Sequence, residues 1–420
     1  MSQTMYQERA GNKSPGGVSA PPAVFRKSCL VISHKLFYAV NGRYCTEGGF
    51  EHYVEVIRSL FERVYLAVPV EHTAPPRAMN PLPEGMAEVI ELPNYTERYW
   101  YPILRLKHPI ALGRPLLEAV KKADVVHVKF PGYEQIIGLA LARWKRRPLF
   151  CSIVGDWEAD YAVSGFAQAH PWLVKPVVLL HRLLIRWVLR SMLVFVHGAA
   201  MAERYRRWGR HVVVNQSSNF READIRSTGG IGELHHPPRL LYAGRLDYKK
   251  GVPTLLEALK KLRDDAQHLV LTIVGEGPDR SAFEEQVVRL GLQEAVTFRG
   301  HIKEYRRLWE IYRAHDLLIL PSLTEGAPKV LIEAYAQGLP VVATNVGGIP
   351  GIVSKENGIL VEPGDADALA GAIRRIVCED AYRRRLAEHN LQVAHEKTIE
   401  AQVRYMGAHL REAMPDLAEC

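Results

Sequence analysis

Short apolar runs recur along nearly the whole chain, separated by stretches in which apolar positions repeat at helical spacing. In the second half the runs fall at 240–244, 269–275, 295–299, 316–321, 340–344 and 358–361. Between the first two, Val252, Leu255, Leu256, Leu259 and Leu262 share one face of a predicted helix. The first half repeats the theme less regularly, with runs at 29–32, 64–68, 125–128, 149–154 and 192–196. Strand-like runs alternating with helices predict parallel sheets with helices on both faces. The expected fold class is α/β: two Rossmann-like, doubly wound domains of similar size facing a cleft. Ligands of such sheets bind beyond the carboxyl ends of the strands, so chemistry is expected in the strand-to-helix loops.

Punctuation along the chain suggests the divisions. Residues 1–24 are polar and rich in Gly, Ser and Pro, and read as a flexible tail without the apolar run of a secretion signal. A first domain is expected over 25–225 and a second over 239–395. The intervening 226–238, with its Gly-Gly, His-His and Pro-Pro pairs, reads as the linker. Residues 396–420 form a C-terminal helical segment that can return to the first domain. No stretch reaches the ~18 uninterrupted apolar residues of a spanning helix. A content of 47% hydrophobic and 24% charged residues excludes disordered, collagen-like and disulfide-stapled classes. The five cysteines are scattered, without CxxC or zinc spacing, as reduced thiols of a cytoplasmic protein would be.

Charge adds an asymmetry. Residues 1–230 carry 30 Lys and Arg against 19 Asp and Glu, whereas 231–420 carry 24 against 27. The net +8 therefore divides into +11 and −3, and the first half is expected to face something anionic.

Three loops of the second half carry candidate chemistry. In Gly244-Arg245-Leu246-Asp247-Tyr248-Lys249-Lys250-Gly251, Arg245 and Lys250 suit a diphosphate, the first by its planar fork and the second as a point charge; a solvated basic turn would look the same. Gly275-Glu276-Gly277-Pro278 resembles a truncated dinucleotide fingerprint, with Arg280 in place of the third glycine. The third loop runs from Ser322 to Glu333. Its Gly326, Ala327, Pro328, Lys329 and Val330 lead into a helix whose free N–H groups form an anion site. Glu325 and Glu333, being acceptors only, suit sugar or ribose hydroxyls on either side of a diphosphate. The bland alternative puts Glu325 on the helix dipole and Glu333 on a solvated face.

These loops, in this order, resemble the donor-binding domain of retaining glycosyltransferases of family 4, which have the GT-B fold. Gly338-Leu339-Pro340, Gly347-Gly348-Ile349-Pro350, Asn357-Gly358 and Val361-Glu362-Pro363-Gly364-Asp365 extend the likeness over roughly 238–390. The resemblance implies a nucleotide-sugar donor bound by the second domain and an acceptor on the first. It places Arg245 and Lys250 on the donor diphosphate, Glu325 on the donor sugar and Glu333 on the ribose, with catalysis resting on Arg245, Lys250 and Glu325. It implies no cofactor and no metal, with the acceptor a saccharide or lipid-linked hydroxyl. In the first half, Glu47-Gly48-Gly49-Phe50-Glu51 resembles the family's early glycine loop, so Gly48 and Gly49 join Gly275 and Gly277 as donor-side positions. A departure follows: where many members have a histidine near the reacting carbon, this chain reads Cys151-Ser152-Ile153-Val154-Gly155-Asp156-Trp157, leaving Asp156 as the substitute contact.

Other polar residues have plainer readings. His127 and His197, at strand positions, suit a core. Asp365-Ala366-Asp367 has the DxD spacing of metal-dependent transferases, but its place before Leu369, Ile373 and Ile376 makes Asp365 a helix cap. A nucleotide-sugar epimerase, an NAD-dependent dehydrogenase and a non-enzymatic basic binding protein are rivals. The Glu pair argues against the first, the incomplete fingerprint against the second, and the ordered loops against the third. Nucleic acid is not an expected partner. An anionic membrane surface is, at the inner face: Lys175, His181, Arg182, Arg186 and Arg190 punctuate the apolar 171–190, with Trp172 and Trp187 as anchors. Arg204, Arg206, Arg207 and Arg210 follow, and Tyr99, Trp100, Tyr101, Arg105 and Lys107 form a second basic-aromatic stretch.

Overall fold

The structure is a computed structural model describing residues 23–46, 49–75, 79–94, 107–130, 132–153, 171–215, 218–227, 231–265, 268–302 and 304–417. At 107–110, 133, 171–178, 180–181 and 199–200 it describes the backbone alone. Gly48, Asp156 and the aromatic stretch at 99–101 lie outside the described residues.

The first domain is built from β1 (Phe25–Ser33), β2 (Phe37–Val40), β3 (Arg43–Thr46), α1 (Phe50–Leu60), β4 (Phe61–Glu71), β5 (Asn80–Pro81) and β6 (Glu88–Leu92). It continues through α2 (Lys107–Lys122), β7 (Val125–Phe130), α3 (Tyr133–Trp144), β8 (Leu149–Ile153), α4 (Pro171–Ser191), β9 (Leu193–His197), α5 (Ala199–Arg206) and β10 (Val212–Asn215). The strand order is β10-β9-β8-β7-β1-β4-β2-β3-β5, with β6 also beside β4. Pairing is parallel except for β2–β3 and β3–β5. That antiparallel extension departs from the all-parallel expectation. It follows from Asn41-Gly42, both at positive φ, which close a tight hairpin.

The second domain runs through β11 (Arg239–Ala243), α6 (Val252–Asp264), β12 (Val270–Val274), α7 (Arg280–Arg289), β13 (Val296–Gly300), α8 (Tyr305–Arg313) and β14 (Leu317–Leu320). Then come α9 (Lys329–Ala336), β15 (Val341–Thr344), β16 (Gly358–Val361), α10 (Ala366–Cys378) and α11 (Asp380–His395). Its six strands are all parallel, in the order β13-β12-β11-β14-β15-β16. Helix α6 buries Val252, Leu255, Leu256, Leu259 and Leu262, the face read from its spacing. Two doubly wound sheets thus stand where the hydrophobic pattern put them.

The chain leaves one core for the other earlier than the 226–238 stretch. Asn215 ends β10, and Phe220 is already packed into the second core with Leu241, Leu318 and Trp309. A last helix, α12 (Ile399–Ala413), packs Ile399, Met406 and Leu410 into the first core with Val54, Ile57 and Leu60 of α1. Its Gln402 donates through Nε2 to Asn215 Oδ1 at 3.2 Å and accepts from Ser218 N at 3.0 Å. No helix among the described residues is long and apolar enough to cross a membrane.

Candidate active site

In the second sheet β11 and β14 are neighbours, and the chain order runs outward from them in both directions. That switch point opens a crevice beyond their carboxyl ends. Two of the three candidate loops leave from these two strands.

The loop after β11 is tightly built. Asp247 accepts from Lys249 N at 2.9 Å, forming a one-turn 3-10 helix over Tyr248–Lys250. Gly251 ends that turn at φ 68, where a Cβ would stand 1.8 Å from the Pro321 carbonyl oxygen. Only glycine lets the two loops approach so closely. Leu323 N donates to Lys249 O at 2.8 Å, locking one loop to the other.

This framework joins two of the expected site residues. Lys250 Nζ donates to Glu325 Oε1 at 2.7 Å, and Ser322 Oγ donates to the same oxygen at 2.9 Å. Lys250 is 27% exposed and Glu325 10%, so the pair sits at the mouth of the crevice. Behind it, Thr344 Oγ1 donates to Ser322 O at 2.5 Å. Gly347, at φ 53, lies so close to the Glu325 carbonyl oxygen that a Cβ would be 1.8 Å from it. Arg245, earlier in the same loop, is exposed, its carbonyl accepting from Tyr242 OH at 2.9 Å. Gly326 and Ala327 are exposed, Pro328 is buried, and α9 begins at Lys329 with Val330 half-buried. Gly275 and Gly277 pack against the carbonyls of Gly244 and Leu246, so the second loop buttresses the first.

Glu333 differs from the expectation of a cleft-exposed carboxylate. It is 6% exposed. Tyr312 OH donates to its Oε2 at 2.8 Å, and Asn219 Nδ2 donates to Oε1. The physical reason is that α9 is apolar around its circumference: Leu331, Ile332, Ala334, Tyr335 and Ala336 are all buried. Such a helix has no solvated face to offer. Burial and the adjacent Glu333 carboxylate hold the Tyr312 phenol well above its ordinary value.

From the first domain, Gly49 starts α1 at φ 69, and a Cβ there would meet Tyr305 OH of α8 at 3.1 Å. The His52 and Tyr305 rings meet edge to face at 4.8 Å between centroids. The start of α1 therefore meets α8 of the second domain. His127 is fully buried, 2.6 Å from Tyr53 OH through Nδ1 and 2.8 Å from Ser152 Oγ through Nε2. His197 Nε2 lies 2.9 Å from Asn215 Nδ2. Gln402 fixes that amide's orientation, so Nε2 is an acceptor and the imidazole neutral. Asp365 caps α10, accepting from Ala368 N at 2.8 Å, and Asp367 pairs with Lys261 at 2.8 Å.

Known proteins resemble this chain in sequence and in fold. Residues 230–393 match the family model described as glycosyl transferases group 1. An uncharacterized glycosyltransferase of Methanocaldococcus jannaschii is 31% identical over 177 residues, covering 42% of this chain and 45% of the relative. A sulfoquinovosyl transferase of Arabidopsis thaliana is 28% identical over 270 residues, covering 61% and 50%. The chain spans half or less of the length of these two relatives. Among solved structures, Anabaena HepE in complex with UDP-glucose superposes with a TM-score of 0.65 at 18% identity, over 92% of this chain and 100% of that one. Residues 230–393 thus resemble the glycosyl transferases group 1 family, and the chain as a whole has the two-domain GT-B fold.

Proposed function

We propose that the protein is a retaining glycosyltransferase of family 4 type, moving a sugar from a nucleotide-diphosphate donor to an acceptor hydroxyl in polysaccharide or glycolipid assembly. The observation that carries the reading is the Lys250–Glu325 pair at the switch point, with Arg245 exposed on the same loop as Lys250. In the reaction the bond from the anomeric carbon to the diphosphate breaks, and its electron pair leaves with the diphosphate. Arg245, Lys250 and the N–H groups opening α9 stabilise that growing charge. Glu325 accepts from a donor-sugar hydroxyl. The acceptor oxygen then bonds the anomeric carbon on the face just vacated, and its proton passes to the departing phosphate oxygen. Glu333 reaches the ribose in this reading only by turning from Asn219 and Tyr312, so nucleotide binding is coupled to those partners. Thermal-shift screening against UDP-, GDP- and ADP-sugars, followed by mass spectrometry of products, tests the proposal. No stabilisation by any member and no glycosylated or hydrolysed product would reject it, and epimerised donor would favour an epimerase.

The acceptor side is read as peripheral to an anionic membrane. Trp144 of α3 and Leu179, Leu183 and Trp187 of α4 are exposed large apolar side chains. Arg143 lies 5.6 Å from the Trp187 ring, joining the two helices into one surface. Arg182, Arg186 and Arg190 are exposed around it, while Ile185, Val188 and Leu189 face the core. Each basic residue near acidic lipid contributes roughly 1 kcal/mol, and Trp side chains anchor at the interface. The protein should sediment with acidic vesicles at low salt and leave them at high salt. Equal recovery with neutral and acidic vesicles would exclude this surface as a membrane contact.

A further inference from the structure

Helix α3 ends on a residue that its backbone strains. Arg146 N donates to Arg143 O at 3.0 Å and Arg147 N to Ala142 O at 2.9 Å, the paired bonds of a Schellman close. That close holds Arg146 in the left-handed region at φ 53, where glycine is the unstrained choice. Among the described residues the other non-glycine at positive φ is Asn41, a type that visits the region readily. An arginine kept in such a conformation points to a use for its side chain.

That side chain lines a cavity. A space of about 590 Å³ lies between the end of α3 and the segment that follows α12, walled by Arg143, Arg146, Arg147, Pro148, Met414 and Leu417 among others. Asp416 is the one acid in the wall, so three guanidiniums stand against one carboxylate. Arg147 donates to the Lys121 carbonyl at 2.7 Å, and the acids near that contact, Glu118 and Glu88, are held by Lys121 and Lys122 at 2.7 and 3.2 Å. Planar guanidinium forks match phosphate oxygens. Pro148, Met414 and Leu417 suit hydrocarbon instead. A phosphate joined to hydrocarbon satisfies both parts of the wall.

The place of the cavity in the fold narrows its occupant. Arg147 and Pro148 lead into Leu149, so the cavity lies at the amino end of β8. The five residues of β8, at about 3.3 Å each, separate it by about 16 Å from the carboxyl end of the sheet. Its ligand is therefore neither the donor nor the reacting hydroxyl. Arg143, in the wall, also lies 5.6 Å from the Trp187 ring, and Trp144 beside it is 65% exposed. The cavity is thus continuous with the exposed apolar surface of α3 and α4. We propose that Arg143, Arg146 and Arg147 seat the phosphate of an acidic lipid headgroup at the edge of that surface. The inference rests on reading the α3–α4 surface as a membrane contact. It adds a shaped seat, through which one bound lipid fixes the orientation of the first domain.

The test is calorimetric titration of dihexanoyl phosphatidate, kept below the concentration at which it aggregates, into the full chain. No charged vesicle surface is present, so diffuse attraction does not contribute. The lipid should bind, and Arg146→Gly and, separately, Arg143→Gln should weaken it about tenfold, the loss of one charge-assisted contact. Arg190→Gln removes a charge from α4 outside the cavity and should change the affinity by less than about twofold. Arg146→Gly should also keep or raise the melting temperature, because glycine suits φ 53; a loss of binding through misfolding would lower it. Cavity variants that bind like the parent would overturn the seat, as would equal weakening by Arg190→Gln. Glycerol phosphate separates the sources of the anion: affinity equal to that of phosphatidate would make a free phosphate ester the occupant and overturn the lipid assignment. Sedimentation with acidic vesicles keeps the two readings apart. Equal sedimentation of the parent and Arg146→Gly would sink the seat and leave the membrane contact standing. A parent that ignores the vesicles would sink the membrane contact, and the titration then still decides the cavity.

Discussion

Replacing Glu333 with alanine should destabilise the second domain. In the native structure its carboxylate is 6% exposed and takes hydrogen bonds from Asn219 and from Tyr312 at 2.8 Å. Alanine leaves both donors buried and unpaired, each at about 1–3 kcal/mol. Relief of the cost of burying a charge offsets part of this, so a net loss of about 2–4 kcal/mol is expected. At about 2–4 °C per kcal/mol for a domain of this size, the melting temperature should fall by about 5–15 °C. Glu333→Gln keeps one carbonyl for Asn219 and offers its amide to the Tyr312 oxygen, so its loss should stay below about 1.5 kcal/mol. Thermal and urea melts of the three proteins measure the difference. A Glu333→Ala midpoint within about 2 °C of the parent would refute the buried network, because a solvated carboxylate contributes that little.

Further outcomes follow from the same geometry. Lys250→Ala should weaken nucleotide-sugar binding by about tenfold or more while shifting the melting temperature little, since Lys250 is partly exposed and Ser322 still holds Glu325; unchanged affinity would remove Lys250 from the donor site. Gly347→Ala forces a Cβ to 1.8 Å from the Glu325 carbonyl oxygen, at a φ that alanine disfavours; it should impair donor binding, and unaltered binding would show that the Glu325 backbone is not held there. Burial lowers His197 to about 3 and His34 to about 4, below the unfolded imidazole value. The unfolded chain then binds more protons across that window, so this stability is whole above pH 6.5 and is lost as pH falls toward 3. Urea midpoints at pH 7 and pH 5 read the loss, and His197→Asn should flatten it; an equal slope in both proteins would argue against a neutral, buried His197.

The second sheet was readable because its inner strands β11, β12, β14 and β15 are short apolar runs, and burial on both faces demands such runs. The first sheet was harder. Arg43–Thr46 carries too little apolar character to stand out, and only Asn41-Gly42 marks the hairpin. The positions in the loops after β11 and β14 follow from local spacing, so Lys250 and Glu325 could be picked from sequence. Their hydrogen bond spans 75 residues and could not. Glu333 shows the limit more sharply. The apolar run around it hinted at burial, but its partner Asn219 lies 114 residues away.

The return of α12 to the first domain means that the polypeptide passes between the two cores twice, and the two passages lie side by side. Ile399 N donates to Phe220 O at 2.9 Å, and Glu222 N donates to Glu400 Oε2 at 3.1 Å. His395 also reaches Glu222. A single tether would leave the domains free to twist and slide. A pair of tethers stitched together behaves as a door hinge, leaving rotation about one axis as the soft direction. Width of the opening between the two sheets is then the coordinate expected to vary most. Mutations at Phe220, Glu222 or Glu400 would be felt in how fast the door swings, far from any atom that reacts.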